Sequence, residues 1–236
     1  MSFKALAKPE LVVFDLDNTL YDYDLAHEYA TSMLIVKLET LLSSNKDEII
    51  KNFAKARSIV KARLGNTASS HSRLLYLSEL FSILKIDIDA SEILRVEKIY
   101  WDAFLSKTEA FSDSKLFINE LVALGTMCAL VTDLTSEIQY RKLLTLGLEM
   151  EFRCVVTSEE AGGDKSTLLP WKLLDERVNL SSFSNIWYIG DSLHDLNPTM
   201  RRPQDVGLLK STHGPLMSFG DHFAFSSFND LYKTLR

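Results

Sequence analysis

The feature that most constrains this chain is a series of short apolar runs, most of which close on polar residues. Leu11–Phe14 leads into Asp15-Leu16-Asp17-Asn18-Thr19, the run at 127–131 into Thr132-Asp133, and the run at 186–189 into Gly190-Asp191. A further run covers 152–156, and a weaker one 205–209. Nearly continuous apolar runs suit strands covered on both faces, and most of these are separated by stretches of helical periodicity. That alternation predicts an α/β layered fold with a mostly parallel sheet and right-handed crossovers.

One stretch breaks the alternation. Residues 21–108 carry helical patterns and no strand, with helices expected at 22–43, 46–63, 70–84 and 90–107. In the second, Ile49, Ile50, Phe53, Ile59 and Val60 form a broad apolar stripe. Gly65-Asn66 reads as its stop, and Ser69-Ser70 and Asp89 as N-caps of the helices that follow. Such a block placed directly after the first strand reads as a separate all-helical cap domain. It leaves 1–20 and 109–236 as the α/β core.

The bulk numbers fit a globular protein, with 46% hydrophobic and 25% charged residues. A net charge of -6 argues against a nucleic-acid partner, which asks for a basic face. No apolar run approaches the ~18 residues of a membrane span, and the first residues do not read as a signal peptide. Cys128 and Cys154 sit inside apolar runs as small buried thiols, so a reducing, cytoplasmic setting is expected.

In open α/β sheets chemistry gathers at the carboxyl ends of strands. Asp15 and Asp17 leave one strand two residues apart, and like charges so close need a cation or a shared proton. With a metal shielding it, Asp15 can approach a phosphate, while Asp17 can hold the proton a leaving oxygen needs. Asp191 and Asp195 offer two more carboxylates, four apart at the expected start of a helix, and hard oxygen ligands of this kind suit Mg2+. His194 reads as a solvated neighbour. The hydroxyl of Thr132 and nearby backbone N–H groups can hold phosphate oxygens. Lys165, in a glycine-bearing loop, can neutralise the transferring group.

Taken in order, these residues resemble the haloacid dehalogenase-like hydrolase superfamily. The resemblance rests on Val12-Val13-Phe14-Asp15-Leu16-Asp17-Asn18-Thr19-Leu20, Ala129-Leu130-Val131-Thr132, Lys165, and Gly190-Asp191 with Asp195. It implies a Rossmann-like three-layer core with an inserted helical cap, and a Mg2+-dependent phosphatase working through an aspartyl-phosphate. By position Asp15 would be the nucleophile and Asp17 the general acid/base. Thr132, Asp133 and Lys165 would form the phosphate-binding set. Asp15, the backbone carbonyl of Asp17, and Asp191 would hold the metal, with Asp195 assisting directly or through water. Dehalogenating relatives lack an acid at the position of Asp17, which favours phosphoryl chemistry here. Two residues depart from the pattern: Ser166 stands where many relatives have proline, and Asp133 where many phosphatases have asparagine. A carboxylate facing the phosphate would repel it, so Asp133 is expected to point away or to bond to backbone.

The expected substrate is a small phosphomonoester, a sugar phosphate or nucleotide monophosphate. The alternatives are a phosphomutase of the same family and a non-catalytic binding protein on this fold. Tyr21-Asp22-Tyr23-Asp24 is placed to form a hinge. His71 and Arg73 read either as contacts to an anionic substrate or as surface polarity, and Tyr76, Tyr100 and Trp101 as stacking groups or core. Whether the chain is a monomer or a homodimer does not follow from the sequence.

Overall fold

The computed structural model describes residues 6–196, 202–211, 217–219, 222–233 and 235. The chain divides into two compact units, Met1–Asp22 with Glu109–Arg236, and Tyr23–Thr108.

The first unit is built on one sheet. Its strands are β1 (Leu11–Phe14), β2 (Met127–Thr132), β3 (Cys154–Thr157), β4 (Ile186–Gly190), β5 (Val206–Lys210), β6 (Met217–Phe219) and β7 (His222–Phe225). They lie in the order β3-β2-β1-β4-β5-β7-β6, all parallel except β6, which runs antiparallel to β7. The α/β fold with a mostly parallel sheet is therefore as expected. Strands β6 and β7 and the short helix after them add to the five runs read from the sequence. Ser218 interrupts β6 and His222 opens β7, so neither presents the continuous apolar run by which β1 was recognised.

Helices α5 (Ser112–Ala123), α6 (Ser136–Leu146), α7 (Ser158–Ala161), α8 (Leu169–Val178) and α9 (Phe228–Tyr232) complete this unit. Every residue of β1 is buried, because the strand is flanked on both edges and covered on both faces. On one face Leu11 and Val13 join Ala129, Val131, Ile186 and Tyr188 in a core closed by Trp171 and Leu174 of α8. The chain runs from β1 to β2 and β3 on one side, then returns to lay β4 against the other edge of β1. The strand order reverses at β1, and such a switch point opens a crevice at the carboxyl ends of the strands.

The second unit is all helical: α1 (Tyr23–Leu42), α2 (Lys46–Leu64), α3 (Arg73–Leu84) and α4 (Ala90–Ser106), with α1 against α4 and α2 against α3. Gly65 ends α2 with a positive φ of 59°, and Asp89 caps α4 by accepting the N–H of Glu92 at 2.8 Å. The expected cap at Ser69-Ser70 is displaced. Those residues form a 3-10 turn, Ala68–His71, and Ser72 caps α3 by accepting the N–H of Leu75. In α2 the buried stripe is Ile49, Ala56 and Val60, whereas Ile50 stays exposed. Tyr76, Tyr100 and Trp101 are buried among the helices. Among the described residues no helix is long and apolar enough to cross a membrane.

Candidate active site

Parallel register aligns the strand ends. Phe14 sits opposite Leu130 of β2 and Ile189 of β4, and Thr132 opposite Thr157 of β3. The residues after these positions therefore emerge side by side. A cavity of about 340 Å³ opens there, lined by Asp15, Asp17, Thr132, Asp133, Lys165 and Asp191, with His194 exposed at its wall. Asp195 is buried beside it. All seven residues singled out in the sequence thus gather at one edge of the sheet.

Asp15 continues the ladder, its N–H donating to the carbonyl of Ile189 at 2.8 Å. Its Oδ2 accepts the hydroxyl of buried Thr19 at 2.9 Å, and its Oδ1 meets Nζ of Lys165 at 2.5 Å. Lys165 Nζ also lies 2.5 Å from Asp195 Oδ1, an ionic contact without hydrogen-bond alignment. The other oxygen of Asp195 accepts the N–H and hydroxyl of Ser192, both at 2.9 Å. Ser192 and Asp195 form a capping box around the turn Leu193–Asp195, and that turn is 3-10 rather than the start of a longer helix. Gly190 makes this possible. A Cβ there would lie 2.2 Å from Asp195 Cβ, so any side chain would expel the carboxylate.

One carboxylate oxygen from each of Asp15, Asp191 and Asp195 lies within 4.8 Å of the other two. Three carboxylates thus face one ammonium, and the electrostatics follow from that surplus. Burial pushes the Asp15 carboxyl well above its ordinary value; Lys165 opposes this, but Asp195, Asp191 and Asp17 reinforce it. Asp191 rises to about 6, through burial and then the charge of Asp195. Burial works against the charge of Lys165, but Asp15, Asp195 and Asp133 outweigh it and keep the ammonium well above its usual range. A cluster of hard oxygen donors with excess negative charge fits a divalent cation of the Mg2+ type.

Asp133 accepts the N–H of Lys165 on Oδ1 at 2.9 Å, the kind of backbone bond expected for it, and so ties the lysine loop to the end of β2. The next residue, Leu134, has a φ of 116°, and its N–H is held by Ser158 Oγ at 2.8 Å. A bulky residue at positive φ is strained, and such strain collects at sites that the surroundings hold in place.

Two polar residues of α6 were not read from the sequence. Lys142, fully buried, grips Asp17 with Nζ 2.7 and 2.8 Å from its two oxygens, and Tyr21 donates its hydroxyl to Asp17 Oδ1 at 2.5 Å. Gln139, also fully buried, donates from Nε2 to Thr132 Oγ1 at 2.6 Å. With its oxygen occupied as an acceptor, the Thr132 hydroxyl keeps its own proton to donate. The signal was present: residues 138, 139, 142, 143 and 146 form the buried stripe of α6, and polar residues within such a stripe mark a site.

A sheet with its switch point at β1 and an aspartate-lysine cluster at that edge defines a Rossmann-like α/β protein with its candidate site at the strand ends. The family model of the haloacid dehalogenase-like hydrolases matches residues 12–201, most of the chain, and the chain belongs to that family. It is 33% identical over 187 residues to a ribulose-1,5-bisphosphate 5-phosphatase of Halopiger xanaduensis, covering 77% of this chain and 76% of the relative. A glyceraldehyde 3-phosphate phosphatase of Methanocaldococcus jannaschii is 25% identical over 188 residues, with 79% and 78% covered. Among solved structures, the HAD-hydrolase YfnB of Bacillus subtilis, bound to magnesium, aligns with a TM-score of 0.69 at 18% identity. That alignment covers 97% of this chain and 99% of YfnB. A HAD phosphatase of Thermococcus onnurineus aligns at 0.67 and 19% identity, covering 96% and 97%.

Proposed function

We propose that the protein is a Mg2+-dependent phosphatase of small phosphomonoesters, sugar phosphates foremost, acting through an aspartyl-phosphate on Asp15. The observation that carries this reading is the Asp15 carboxylate at the switch-point crevice, with Lys165 on one oxygen and Asp191 and Asp195 within 4.8 Å. The phosphatase activity of both curated relatives supports the enzyme class, and their substrates support the sugar-phosphate class.

An oxygen of Asp15 attacks phosphorus, and the ester oxygen leaves as an alcohol with a proton from Asp17. Water then attacks the phosphorus of the aspartyl-phosphate, Asp17 takes its proton, and inorganic phosphate leaves with Asp15 regenerated. Thr132 and Lys165 bind the phosphoryl oxygens, and Asp133 contributes by fixing the lysine loop. Asp15, Asp191, Asp195 and the backbone carbonyl of Asp17 would hold Mg2+, which supplies positive charge toward the transferring phosphoryl group. Residues 1–20 and 109–236 form the catalytic core in this reading, and 21–108 the cap that selects the leaving group. A panel of phosphomonoesters assayed with Mg2+ tests the proposal. Release of inorganic phosphate from sugar phosphates is the expected result, and isomerised sugar phosphate or no turnover of any ester defeats it.

The raised carboxyls give a pH prediction. In the unfolded chain Asp15 and Asp191 ionise near pH 4, whereas the folded protein resists their charge. Stability from this source is present below that pH and is lost as pH rises, through about 6 for Asp191 and well above the ordinary carboxyl range for Asp15. Mg2+ offsets the repulsion and needs the groups deprotonated. It is therefore expected to raise the melting temperature clearly at pH 7.5 and little at pH 5. Equal shifts at both values would remove these carboxylates from the metal site.

Lys142 gives a second. Without it Asp17 loses the ammonium that orients both its oxygens, so proton delivery suffers more than phosphate binding. Lys142→Met is expected to lower kcat about 100-fold on alkyl phosphates, within the range of general acid catalysis. Read in the first turnover, before the water step that both substrates share, p-nitrophenyl phosphate, whose leaving group needs no proton, should release its phenol only a few-fold more slowly, whereas the alkyl ester keeps the full loss. Equal losses on both substrates would assign Lys142 to folding alone.

A further inference from the structure

The helical unit holds a cavity of its own, about 760 Å³, every lining residue of which belongs to Tyr23–Thr108. Its walls have two characters. Ile35, Ile50 and Phe53 are apolar, and Ile50 is the stripe residue that α2 leaves exposed. Arg57, Lys61 and Arg73 bring three cations, and no carboxylate lines the space among the described residues.

Arg73 is the informative one. It is 6% exposed, and its guanidinium donates to the carbonyl of His71 at 2.7 Å and to the hydroxyls of Tyr23 and Tyr100 at 2.6 and 3.0 Å. It also lies 5.0–5.8 Å from the ring centres of Tyr100, Trp101 and Tyr76. All these partners are neutral. The two buried lysines of the sheet unit, Lys142 and Lys165, each sit on carboxylates, as buried charges ordinarily do. Arg73 has no carboxylate at ion-pair distance among the described residues, so its hydrogen bonds are met while its charge is not balanced. His27 in the same wall responds accordingly: burial, then Arg73 and Arg57, push it down to about 4, leaving it neutral beside the cations.

We propose that this cavity binds an amphiphilic organic anion, with Arg57, Lys61 and Arg73 balancing a carboxylate or phosphate group and Ile35, Ile50 and Phe53 covering its apolar body. The volume is that of a small-molecule site, and the mixture of apolar wall and convergent charged groups is what such sites present. The proposal does not rest on the phosphatase reading, because its test measures binding and not turnover.

Octanoate and benzoate serve as probes, with octanol and benzyl alcohol as neutral counterparts of the same shape. The full-length protein, 13C-labelled at isoleucine methyls, is titrated with each. The anions are expected to shift the Ile35 and Ile50 signals saturably and to bind at least about tenfold more tightly than the alcohols. Arg73→Met risks unfolding the bundle, so the informative variant is Arg57→Gln with Lys61→Gln, both nearer solvent. It should weaken the anions about tenfold and leave the alcohols unchanged. Alcohols binding as tightly as the anions, or neither anion giving a saturable shift at either isoleucine, would overturn the proposal. The source of the anion is told apart by turnover. If the double variant raises KM for a phosphomonoester bearing a second anionic group, but not for an uncharged one, the anion is the substrate's own. If KM is unmoved while octanoate binding is lost, the anion is a separate metabolite.

Discussion

Asp15→Asn is expected to reduce phosphate release by at least about 10,000-fold, the scale seen when a covalent nucleophile is removed. The same change should leave the fold intact and its melting temperature equal to or above that of the native protein. The stability half of this expectation follows from the local geometry. An asparagine oxygen can accept from Lys165 where Asp15 Oδ1 does, at 2.5 Å. The amide nitrogen can donate to the hydroxyl of Thr19, which now donates to Oδ2 at 2.9 Å. Both partners stay satisfied, and the negative charge that burial, Asp195, Asp191 and Asp17 all disfavour is removed. Loss of activity with a retained melt separates the nucleophile from a structural carboxylate. More than about 1% residual turnover in the purified variant would exclude Asp15 as the attacking group.

The parts of this site that could be read from sequence are those whose chemistry and local structure coincide. Asp15 and Asp17 follow a fully apolar strand, and Gly190-Asp191 follows another, so periodicity and turn chemistry point to the same residues. Lys165 lies in a loop, and only its company with the aspartates distinguished it. Lys142 and Gln139 escaped because lysine and glutamine in a helix are read by default as solvated. What makes them functional is that α6 buries the face on which they lie, at 0% exposure, against strand-end groups 125 and 7 residues away in sequence. The caps show the same limit on a smaller scale. Asp89 was legible because it begins an uninterrupted helix. Ser72 was not, since the 3-10 turn before it moves the helix start by a few residues, and which serine becomes the cap is decided by backbone geometry. The apolar stripe of α2 failed at Ile50 for a different reason: periodicity cannot tell a face turned to a neighbouring helix from one turned to a cavity.

Lys165→Met should cost both activity and stability, and the two losses have one cause. The ammonium is buried between Asp15 and Asp195, 2.5 Å from each, and both carboxylates are themselves buried. Removing one partner of a buried ion pair leaves the other charge uncompensated, a loss of about 3 kcal/mol. In a chain of this size that corresponds to a melting temperature lower by roughly 6–12 °C. The sign of its pH dependence follows from the shifts. The Lys165 ammonium is held above its ordinary value, so its contribution is present across the whole neutral range and fades only as pH rises past that of free lysine. Once it is gone, the surplus charge is relieved only where carboxyls of the cluster take up protons, and Asp191 does so near 6. The variant should therefore lose more stability at pH 8 than at pH 5, and Mg2+ should restore more of its melting temperature than it adds to the native protein. Activity should fall about 100- to 1000-fold, the effect of deleting one charge aimed at a transition-state oxyanion. A variant that melts with the native protein at pH 8 would show that Lys165 does not balance these carboxylates, and the electrostatic account of the site would fall with it.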